Sequence, residues 1–180
     1  MEQRVALVTG GSRGIGQACV GALARSGHKL AIHYRSDPNR AQELQSQIEG
    51  SQIFQADLSD EKACTDLIKT VYKQMGRIDI LVNNAGIAVD QILPLAKGED
   101  FKRVIQTNLV SVFSLSKAVS RYMIRQKFGR IINITSVVGH SGNGGQSMYA
   151  ASKSAITGFT KSIAMELAKA QVTCNCVAPG

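Results

Sequence analysis

Three residues with the chemistry to move a proton lie within one short stretch of the sequence. Ser136 precedes a glycine-rich loop, and Tyr149 and Lys153 follow that loop, four residues apart. Residues at this spacing share a face of a helix, so a helix beginning near Tyr149 would place the phenol beside the ammonium. A neighbouring ammonium favours the phenolate and lowers the pKa of a tyrosine toward neutrality. The stretch therefore predicts a tyrosine acid or base, with the Ser136 hydroxyl binding a substrate carbonyl or alcohol oxygen.

A glycine-rich turn near the start of the chain predicts a nucleotide site. The apolar residues 4–9 precede T-G-G-S-R-G-I-G, and an amphipathic stretch then continues to about residue 26. Glycines let a pyrophosphate approach the amide groups at a helix N-terminus, whose dipole favours anions. The spacing T-G-x-x-x-G-x-G differs from G-x-G-x-x-G, and glycines also serve simple turns. Its place between a strand and a helix favours the dinucleotide interpretation.

The end of the second predicted strand, residues 29–35, favours one form of the dinucleotide. An acidic residue at this point would accept hydrogen bonds from a ribose 2′-hydroxyl, whereas a basic residue suits a 2′-phosphate. The sequence has Arg35 and Ser36 here, with Arg13 in the glycine turn. NADP(H) is therefore predicted rather than NAD. Asp37 could still reach the ribose, although its position before a proline is typical of a helix N-cap.

Further polar residues follow strands at the edge where open α/β sheets bind ligands. Asp57 and Leu58 follow the third strand, and the carboxylate could contact an adenine amino group or cap the next helix. Asn83-Asn84-Ala85-Gly86 follows the fourth strand and could contact a ligand or tie strand ends together. Asn108 lies inside a predicted helix, where asparagine is an indifferent helix former. It could hold a water or a backbone group near Lys153.

Strands and helices alternate along the whole chain, which predicts an α/β fold with a Rossmann-like doubly wound parallel sheet in three layers. The strands are predicted at residues 4–9, 29–35, 51–56, 78–82, 130–135 and 172–177. The helices after the first are predicted at residues 39–49, 61–75, 99–126 and 149–170.

Composition excludes several classes of function. The 180 residues are 44% hydrophobic and 19% charged, as expected for one globular domain. No apolar run approaches the roughly 18 residues that span a bilayer, and no signal peptide is evident, so we expect a cytoplasmic protein without membrane association. The net charge of +8 is scattered and accompanies no nucleic-acid motif, so an anionic cofactor or an acidic partner explains it better. Four cysteines lack metal-site spacing, and no metal is expected.

Taken in order, the motifs TGGSRGIG, NNAG, YAASK and the terminal PG resemble the short-chain dehydrogenase/reductase family over the whole chain. The resemblance implies that Tyr149 protonates a carbonyl oxygen as NADPH delivers hydride, and that Ser136 orients that oxygen. It implies that Lys153 lowers the tyrosine pKa and holds the nicotinamide ribose, while Asn108 supports a water relaying protons to Lys153. The predicted cofactor contacts are Gly10, Gly11, Ser12, Arg13, Gly14, Ile15, Gly16, Arg35, Ser36, Asp57, Leu58, Asn84, Ala85, Gly86, Tyr149, Lys153, Pro179 and Gly180.

Within the family, the stretches RIINITSVVGHSGNGGQSMYAASK, ILVNNAG and CNCVAPG most resemble the bacterial ketoreductases of fatty-acid elongation. That resemblance implies reduction of a 3-oxoacyl thioester linked to acyl carrier protein, by a homotetramer packed through the helices containing Asn108 and Tyr149. Alternatives are a reductase of a sugar, steroid or small ketone, or a non-catalytic nucleotide-binding protein. Family members continue past the Pro-Gly pair with a substrate-covering region and a seventh strand. We therefore expect residues 1–180 to form a single domain that stops before both.

Overall fold

The computed structural model describes residues 3–180, which contain one parallel sheet of six strands. The strand order is β3-β2-β1-β4-β5-β6, as predicted for a doubly wound fold. Strand β1 is buried along its whole length, since helices cover both faces of the sheet. The strands are β1 (Val5–Val8), β2 (Lys29–Tyr34), β3 (Gln52–Gln55), β4 (Ile80–Asn83), β5 (Gly129–Ile134) and β6 (Val172–Val177).

Helices on the two faces of the sheet enclose two apolar clusters. Val20 of the first helix and Leu44 of the second pack on one face, against Leu30 and Ile32. The third, fifth and seventh helices cover the other face. The helices are α1 (Gly14–Arg25), α2 (Pro38–Ser46), α3 (Glu61–Met75), α4 (Gly98–Ile105), α5 (Ser111–Gln126), α6 (Val138–Ser141) and α7 (Ser147–Leu167).

The chain reverses its direction of travel across the sheet between β1 and β4. Strands β1, β2 and β3 proceed toward one edge, and β4, β5 and β6 proceed toward the other. The loops that leave β1 and β4 therefore diverge, which opens a crevice at the carboxyl ends of these strands. The glycine turn and the NNAG segment both lie at this crevice.

The helix predicted over residues 99–126 is interrupted. Helix α4 ends at Ile105, and a π-helical turn, Gln106–Val110, joins it to α5. The amide N–H of Ser111 donates to the carbonyl of Gln106, five residues earlier. Such a turn is a feature of functional segments rather than of regular helices. Asn108, an indifferent helix former, lies within this π-helical turn. It therefore marks the place where the helix geometry changes.

A buried polar network links the centre of the sheet to the helices. Asn83 and Asn133 are register partners on β4 and β5, and the Asn83 amide donates to Asn133 Oδ1 over 2.8 Å. The Asn83 amide also lies 3.3 Å from Ser116 Oγ on α5. The Asn133 amide donates to Thr160 Oγ1 on α7 over 2.8 Å. The network connects β4, β5, α5 and α7 directly beneath the crevice.

Two features of the described chain concern membranes and the redox state of its cysteines. Within residues 3–180, no helix combines the length and the apolar character needed to cross a membrane. All four cysteines are free thiols, and two of them, Cys64 and Cys174, are buried. Burial raises the pKa of each of these two thiols to about 12, which keeps both protonated and unreactive.

Candidate active site

A groove runs across the carboxyl ends of the strands, formed by two adjoining cavities of about 470 and 340 Å³. The cavities share Ile15, Asn84, Gly86 and Ile87, so they form one continuous depression. The larger cavity contains predicted cofactor residues Gly10, Ser12, Arg13, Gly14, Ile15, Arg35, Ser36, Asp57, Leu58, Asn84, Ala85 and Gly86. The smaller one contains Ser136, Tyr149, Lys153, Pro179 and Gly180.

The glycine turn is shaped by two kinds of glycine. Gly14 has a φ of +52°, a left-handed conformation that L side chains rarely adopt. Gly16 is buried, and a Cβ on it would overlap the carbonyl oxygen of Gly10. Gly11 is buried as well, so Gly11 and Gly16 lie beneath the groove rather than along its surface. Neither glycine lines the groove, so their predicted contact with a cofactor stays a prediction, and what the structure shows is close packing of α1 against the turn.

The N-terminus of α1 faces the groove without a side-chain cap. In the described chain, Arg13 is the N-cap residue and makes no side-chain cap hydrogen bond, and the first turn has no acidic residue. The N–H groups of the first turn of a helix have no partners within the helix. Together with the helix dipole they favour a negatively charged ligand.

Asn84 ties the fourth strand to the glycine turn. Its side-chain amide donates to the Thr9 carbonyl over 2.9 Å and to the Gly10 carbonyl over 3.2 Å. The Thr9 hydroxyl accepts the backbone N–H groups of Asn84 and Ala85 at 2.9 and 3.1 Å. Of the two readings of the NNAG segment, the structure shows the tie between strand ends. Sequence analysis missed Thr9, whose hydroxyl sits at the switch point of the sheet.

The end of the groove that is predicted to hold the ribose has both acidic and basic side chains. Asp37 is the N-cap of α2, where it accepts from Arg40 N over 3.4 Å and pairs with the Arg40 guanidinium at 3.5 Å. The predicted N-cap is therefore confirmed. Arg35 is exposed and lines the cavity, so its guanidinium is open to an anionic ligand.

Asp57 does not cap the third helix, contrary to one of its two predicted uses. Its carboxylate accepts the Ser59 N–H at 3.0 Å and the Ser59 hydroxyl at 2.8 Å. These bonds hold the pKa of Asp57 below its ordinary value, with a smaller contribution from the nearby Arg35 charge. The N-cap of α3 is Asp60, which accepts from Lys62 N over 2.8 Å. Two aspartates three residues apart made the cap ambiguous in sequence.

Lys153 is a buried cation in the groove wall. Its side chain is 4% exposed, and Nζ donates to the carbonyl of Ile134 at the end of β5 over 2.8 Å. Nζ lies 5.6 Å from the ring centroid of Tyr149, so α7 places the two side chains together as the spacing predicted. Desolvation by burial lowers the pKa of Lys153 to about 8. A Cβ on Gly86 would lie 3.6 Å from Nζ, so that glycine leaves the amine open to the groove.

Ser136 and Tyr149 face the same cavity as Lys153 and are both half-buried. Ser136 Oγ accepts the Val138 N–H at 3.2 Å, which leaves the hydroxyl proton free to be donated. The glycine-rich loop between them is ordered by α6, a single helical turn that sequence analysis missed. A Cβ on Gly139 would lie 3.0 Å from Lys153 Cβ, so the small residue lets α6 pack closely on α7.

A second loop holds the start of α7. Gln91 N donates to the Gly145 carbonyl over 2.7 Å, and Gln146 Nε2 donates to Asp90 Oδ1 over 3.0 Å. The segment after β4 is thus attached to the residues immediately before Tyr149.

Asn108 connects the groove wall to the helix that carries Tyr149. Its fully buried side chain accepts from Ile87 N at 2.8 Å and donates to Ile87 O at 2.9 Å. The same amide donates to Ser152 Oγ at 3.0 Å, and that hydroxyl donates to the Tyr149 carbonyl at 2.7 Å. Asn108 therefore holds a backbone group, one of the two roles that the sequence left open. Ser152, a buried polar residue beside Lys153, was missed.

His33 was not singled out from the sequence as a residue of the groove. It is 2% exposed and lies among the residues of the larger cavity. Its ring contacts both the glycine turn and the end of β3. The signal in the sequence was a histidine that follows three apolar residues close to the carboxyl end of a strand.

This fold and this groove define a class of oxidoreductases. The chain belongs to the short chain dehydrogenase family, whose model matches residues 4–180. A 3-oxoacyl-[acyl-carrier-protein] reductase of Synechocystis is 48% identical and aligns 98% of this chain with 73% of its own length. The reductases named FabG of Escherichia coli K12 and Staphylococcus aureus Mu50 are 44% and 42% identical, covering 99% and 97% of this chain. Each of these two aligns over 73% of its own length as well.

Proposed function

We propose that this protein reduces the 3-oxo group of an acyl thioester carried on acyl carrier protein, with NADPH as reductant. The observation that carries the proposal is the continuity of the groove. The glycine turn lies in one cavity, the Ser136, Tyr149 and Lys153 side chains lie in the other, and the two share four residues. The names of the relatives, which align over nearly the whole chain, support this substrate class.

The donor set of the groove fits a dinucleotide. The uncapped N-terminus of α1 offers amide N–H groups to a pyrophosphate, and a Cβ built on Gly14 would have no atom of residues 3–180 within 4 Å. At the other end, Gly86 leaves room beside the Lys153 amine for ribose hydroxyls. When bound, the nicotinamide supplies the hydride that reduces the carbonyl carbon.

Charge at the outer end of the groove favours the phosphorylated form of the cofactor. Arg35 and Arg13 are both exposed and line the larger cavity. Asp37, the acidic residue that could accept ribose hydroxyls, is instead bonded to the N-terminus of α2 and to Arg40. The two arginines would therefore hold a 2′-phosphate, which is the basis for proposing NADP(H).

The three side chains divide the proton chemistry between them. Ser136 donates its hydroxyl proton in a hydrogen bond to the substrate carbonyl oxygen and so polarises the carbonyl. Tyr149 donates its phenolic proton to that oxygen as the carbon is reduced, which yields the 3-hydroxyl group. Lys153 carries positive charge at neutral pH, since its pKa is about 8, and it stabilises the tyrosinate left behind. Asn108 positions Tyr149 through Ser152, and a water relay to Lys153 stays a prediction.

Two further parts of the proposal concern assembly and compartment. Helices α5 and α7 carry apolar side chains at their surface, where Phe113 meets Phe159 edge to face with centroids 6.1 Å apart, and Ile124 and Met165 are exposed. An exposed apolar surface of this kind is suited to a homotetramer packed through these helices. Four free thiols favour a reducing compartment, and we propose the cytoplasm.

The experiment that tests the proposal is a substrate panel with the purified protein. Consumption of NADPH is followed by absorbance with acetoacetyl-acyl carrier protein, a free acetoacetyl thioester, a sugar and a small ketone. We expect turnover of the thioesters, with the carrier-linked substrate preferred. Reduction of the sugar or ketone without thioester turnover would assign a different reductase. Binding of NADPH in calorimetry with no turnover of any substrate would indicate a nucleotide-binding protein instead.

A further inference from the structure

One histidine side chain holds the first glycine of the turn. His33 Nδ1 accepts the backbone N–H of Gly10 at 3.0 Å, and His33 Nε2 lies 3.0 Å from the carbonyl oxygen of Ala56. The backbone carbonyl of His33 accepts the N–H of Gly11 at 2.9 Å. His33 thus binds two consecutive amides of the turn and joins them to the end of β3.

The partners of the ring decide its protonation state. A backbone N–H can only donate, so Nδ1 must carry a lone pair where it meets Gly10. A carbonyl oxygen can only accept, so Nε2 must carry the hydrogen where it meets Ala56. Both nitrogens are satisfied in the neutral ring with one tautomer. A second proton, on Nδ1, would face the N–H of Gly10 and remove that hydrogen bond.

We propose that His33 is a positioning residue that ties the shape of the glycine turn to its own proton, so that protonating His33 weakens the hold of the turn on a dinucleotide phosphate. The proposal rests on the proposed function in one respect, namely that the groove takes a dinucleotide. Gly10 lies in the cavity wall and precedes Ser12 and Arg13 by two and three residues in the same turn, so a shift of its N–H moves the groups that would face the phosphate.

The charged groups around His33 come from three segments. Asp57 follows β3, Arg35 follows β2, and Arg13 lies in the glycine turn, and all three line the same cavity as His33. Arg40 and Asp37 at the start of α2 line its outer part. Burial lowers the pKa of His33, while the Ala56 carbonyl and the Asp57 charge oppose this more weakly. The neutral ring is therefore the state at physiological pH.

The lowered pKa of His33 decides on which side of neutrality its hydrogen bond to Gly10 is lost. Because the pKa of His33 is lower in the folded protein than the ordinary value of 6.5, the unfolded chain binds this proton more readily. The contribution of the neutral ring is fully present above about pH 6.5 and is lost as the pH falls toward the folded value. Weakening is thus expected on the acid side of neutrality.

The first experiment follows the coupling without any cofactor. An NMR titration of the wild-type protein from about pH 7.5 to about pH 5 monitors the Gly10 amide and the His33 ring carbon. We expect both signals to move with one shared midpoint, and the Gly10 proton to move upfield as its acceptor is lost. A Gly10 amide that stays in place while His33 titrates would overturn the proposal.

The second experiment measures NADPH affinity in wild type and in His33→Gln, whose amide can accept from Gly10 and donate to Ala56 but cannot titrate. Each protein is compared with its own dissociation constant near pH 7.5, so a difference in basal affinity between the variant and wild type does not enter the comparison. In acid, the slope of log Kd against pH should be steeper in wild type by up to about one unit, since binding to the protonated protein releases the proton of His33. The exposed His140→Gln is the matched control and should follow wild type.

If the dissociation constant for NADPH depends on pH equally in wild type and in His33→Gln, the proposal is contradicted. Protonation of the ligand phosphate affects both proteins alike and so cancels in this comparison. A protein that binds no NADPH at any pH would contradict the proposed cofactor, while the amide titration would still decide the coupling. If His33→Gln fails to fold, the titration of the wild-type amide decides alone.

Discussion

Lys153 and Ile134 are joined by a hydrogen bond of 2.8 Å from the buried ammonium to the carbonyl oxygen at the end of β5. Ser136 follows Ile134 by two residues, so the same strand end locates the serine and the lysine. Tyr149 is located by the helix that it shares with Lys153. The relative positions of the three side chains therefore depend on one strand end and one helix, both rigid elements.

The first prediction concerns the phenol. Tyr149→Phe keeps the ring that lies 5.6 Å from the Lys153 amine and removes only the hydroxyl. We expect NADPH affinity to stay within about threefold and turnover to fall by roughly 10²- to 10⁴-fold, because general acid catalysis contributes on that order. Fluorescence titration and steady-state rates measure the two quantities. Tyr122→Phe, in a stacked pair with Tyr72, is the control. A near-normal rate for Tyr149→Phe would remove the assignment.

The second prediction uses the buried charge of Lys153. Its pKa of about 8, against an ordinary 10.5, means that the unfolded chain holds more protons between these values, so stability rises with pH across this window. Relative to Lys153→Met, wild type should gain about 2 kcal/mol of unfolding free energy between roughly pH 7 and roughly pH 9.5. Urea unfolding at both pH values measures it. The exposed Lys161→Met should show no such difference, and a flat difference for Lys153 would refute the shift.

The third prediction tests the bridge made by Asn108. Asn108→Ala leaves the N–H and carbonyl of Ile87 and the hydroxyl of Ser152 without this partner. A fully buried unsatisfied group costs about 1–3 kcal/mol. The Ile87 groups are only part-buried and the Ser152 hydroxyl keeps its bond to the Tyr149 carbonyl, so we expect a total loss of roughly 2–4 kcal/mol in unfolding free energy. Chemical denaturation measures it, with the exposed Asn143→Ala as control. Equal stability of both variants would show that the bridge contributes nothing.

The fourth prediction concerns cofactor choice. Arg35→Asp replaces an exposed guanidinium at the groove with a carboxylate, which repels a 2′-phosphate and accepts ribose hydroxyls. We expect the preference for NADPH over NADH to fall by roughly ten- to a hundredfold, measured from kcat/KM with each cofactor. Lys73→Asp, an equal charge change on exposed α3 surface, should leave the ratio unchanged. An unaltered ratio in Arg35→Asp would mean that another residue recognises the phosphate.

The fifth prediction compares two helical glycines. Gly16→Ala places a Cβ against the Gly10 carbonyl and should cost about 1–3 kcal/mol or more, because α1 must move away from the turn. Gly158→Ala, in α7, meets no atom within 4 Å and should gain about 0.5–1 kcal/mol from helix propensity. Thermal or urea unfolding gives both values. Two changes of the same sign would contradict the packing role of Gly16.

The fold was predictable from sequence because its signals are local and repeated. Helix α3 and strand β6 occupy the predicted residues, and the parallel sheet follows from the alternation of strands and helices. Boundaries were less accurate where no side-chain cap marks the start of a helix, as with α7, which begins at Ser147 rather than Tyr149. The helical turn α6 lies among glycines and is held by packing on α7, which no local pattern reports.

The candidate site was predictable in its residues but not in its connections. The four-residue spacing predicts that Tyr149 and Lys153 are neighbours, because one helix carries both. The bridge from Ile87 through Asn108 to Ser152 joins segments 21 and 44 residues apart, and only the folded chain brings them together. The contact of His33 with Gly10 likewise depends on the pairing of β2 with β1.

The paired asparagines in the sheet have a consequence for alignment. Neighbouring apolar strands such as β4 and β5 could slide by two residues and still present the same faces to the helices. A slide of β4 against β5 would break the buried hydrogen bond between Asn83 and Asn133, at a cost of about 1–3 kcal/mol, so the pair favours the observed alignment. The asparagine pair thus helps to specify the register of β4 against β5. The register in turn determines where along the sheet β4 and β5 end, and so how the segments bearing Gly86 and Ser136 are placed relative to each other.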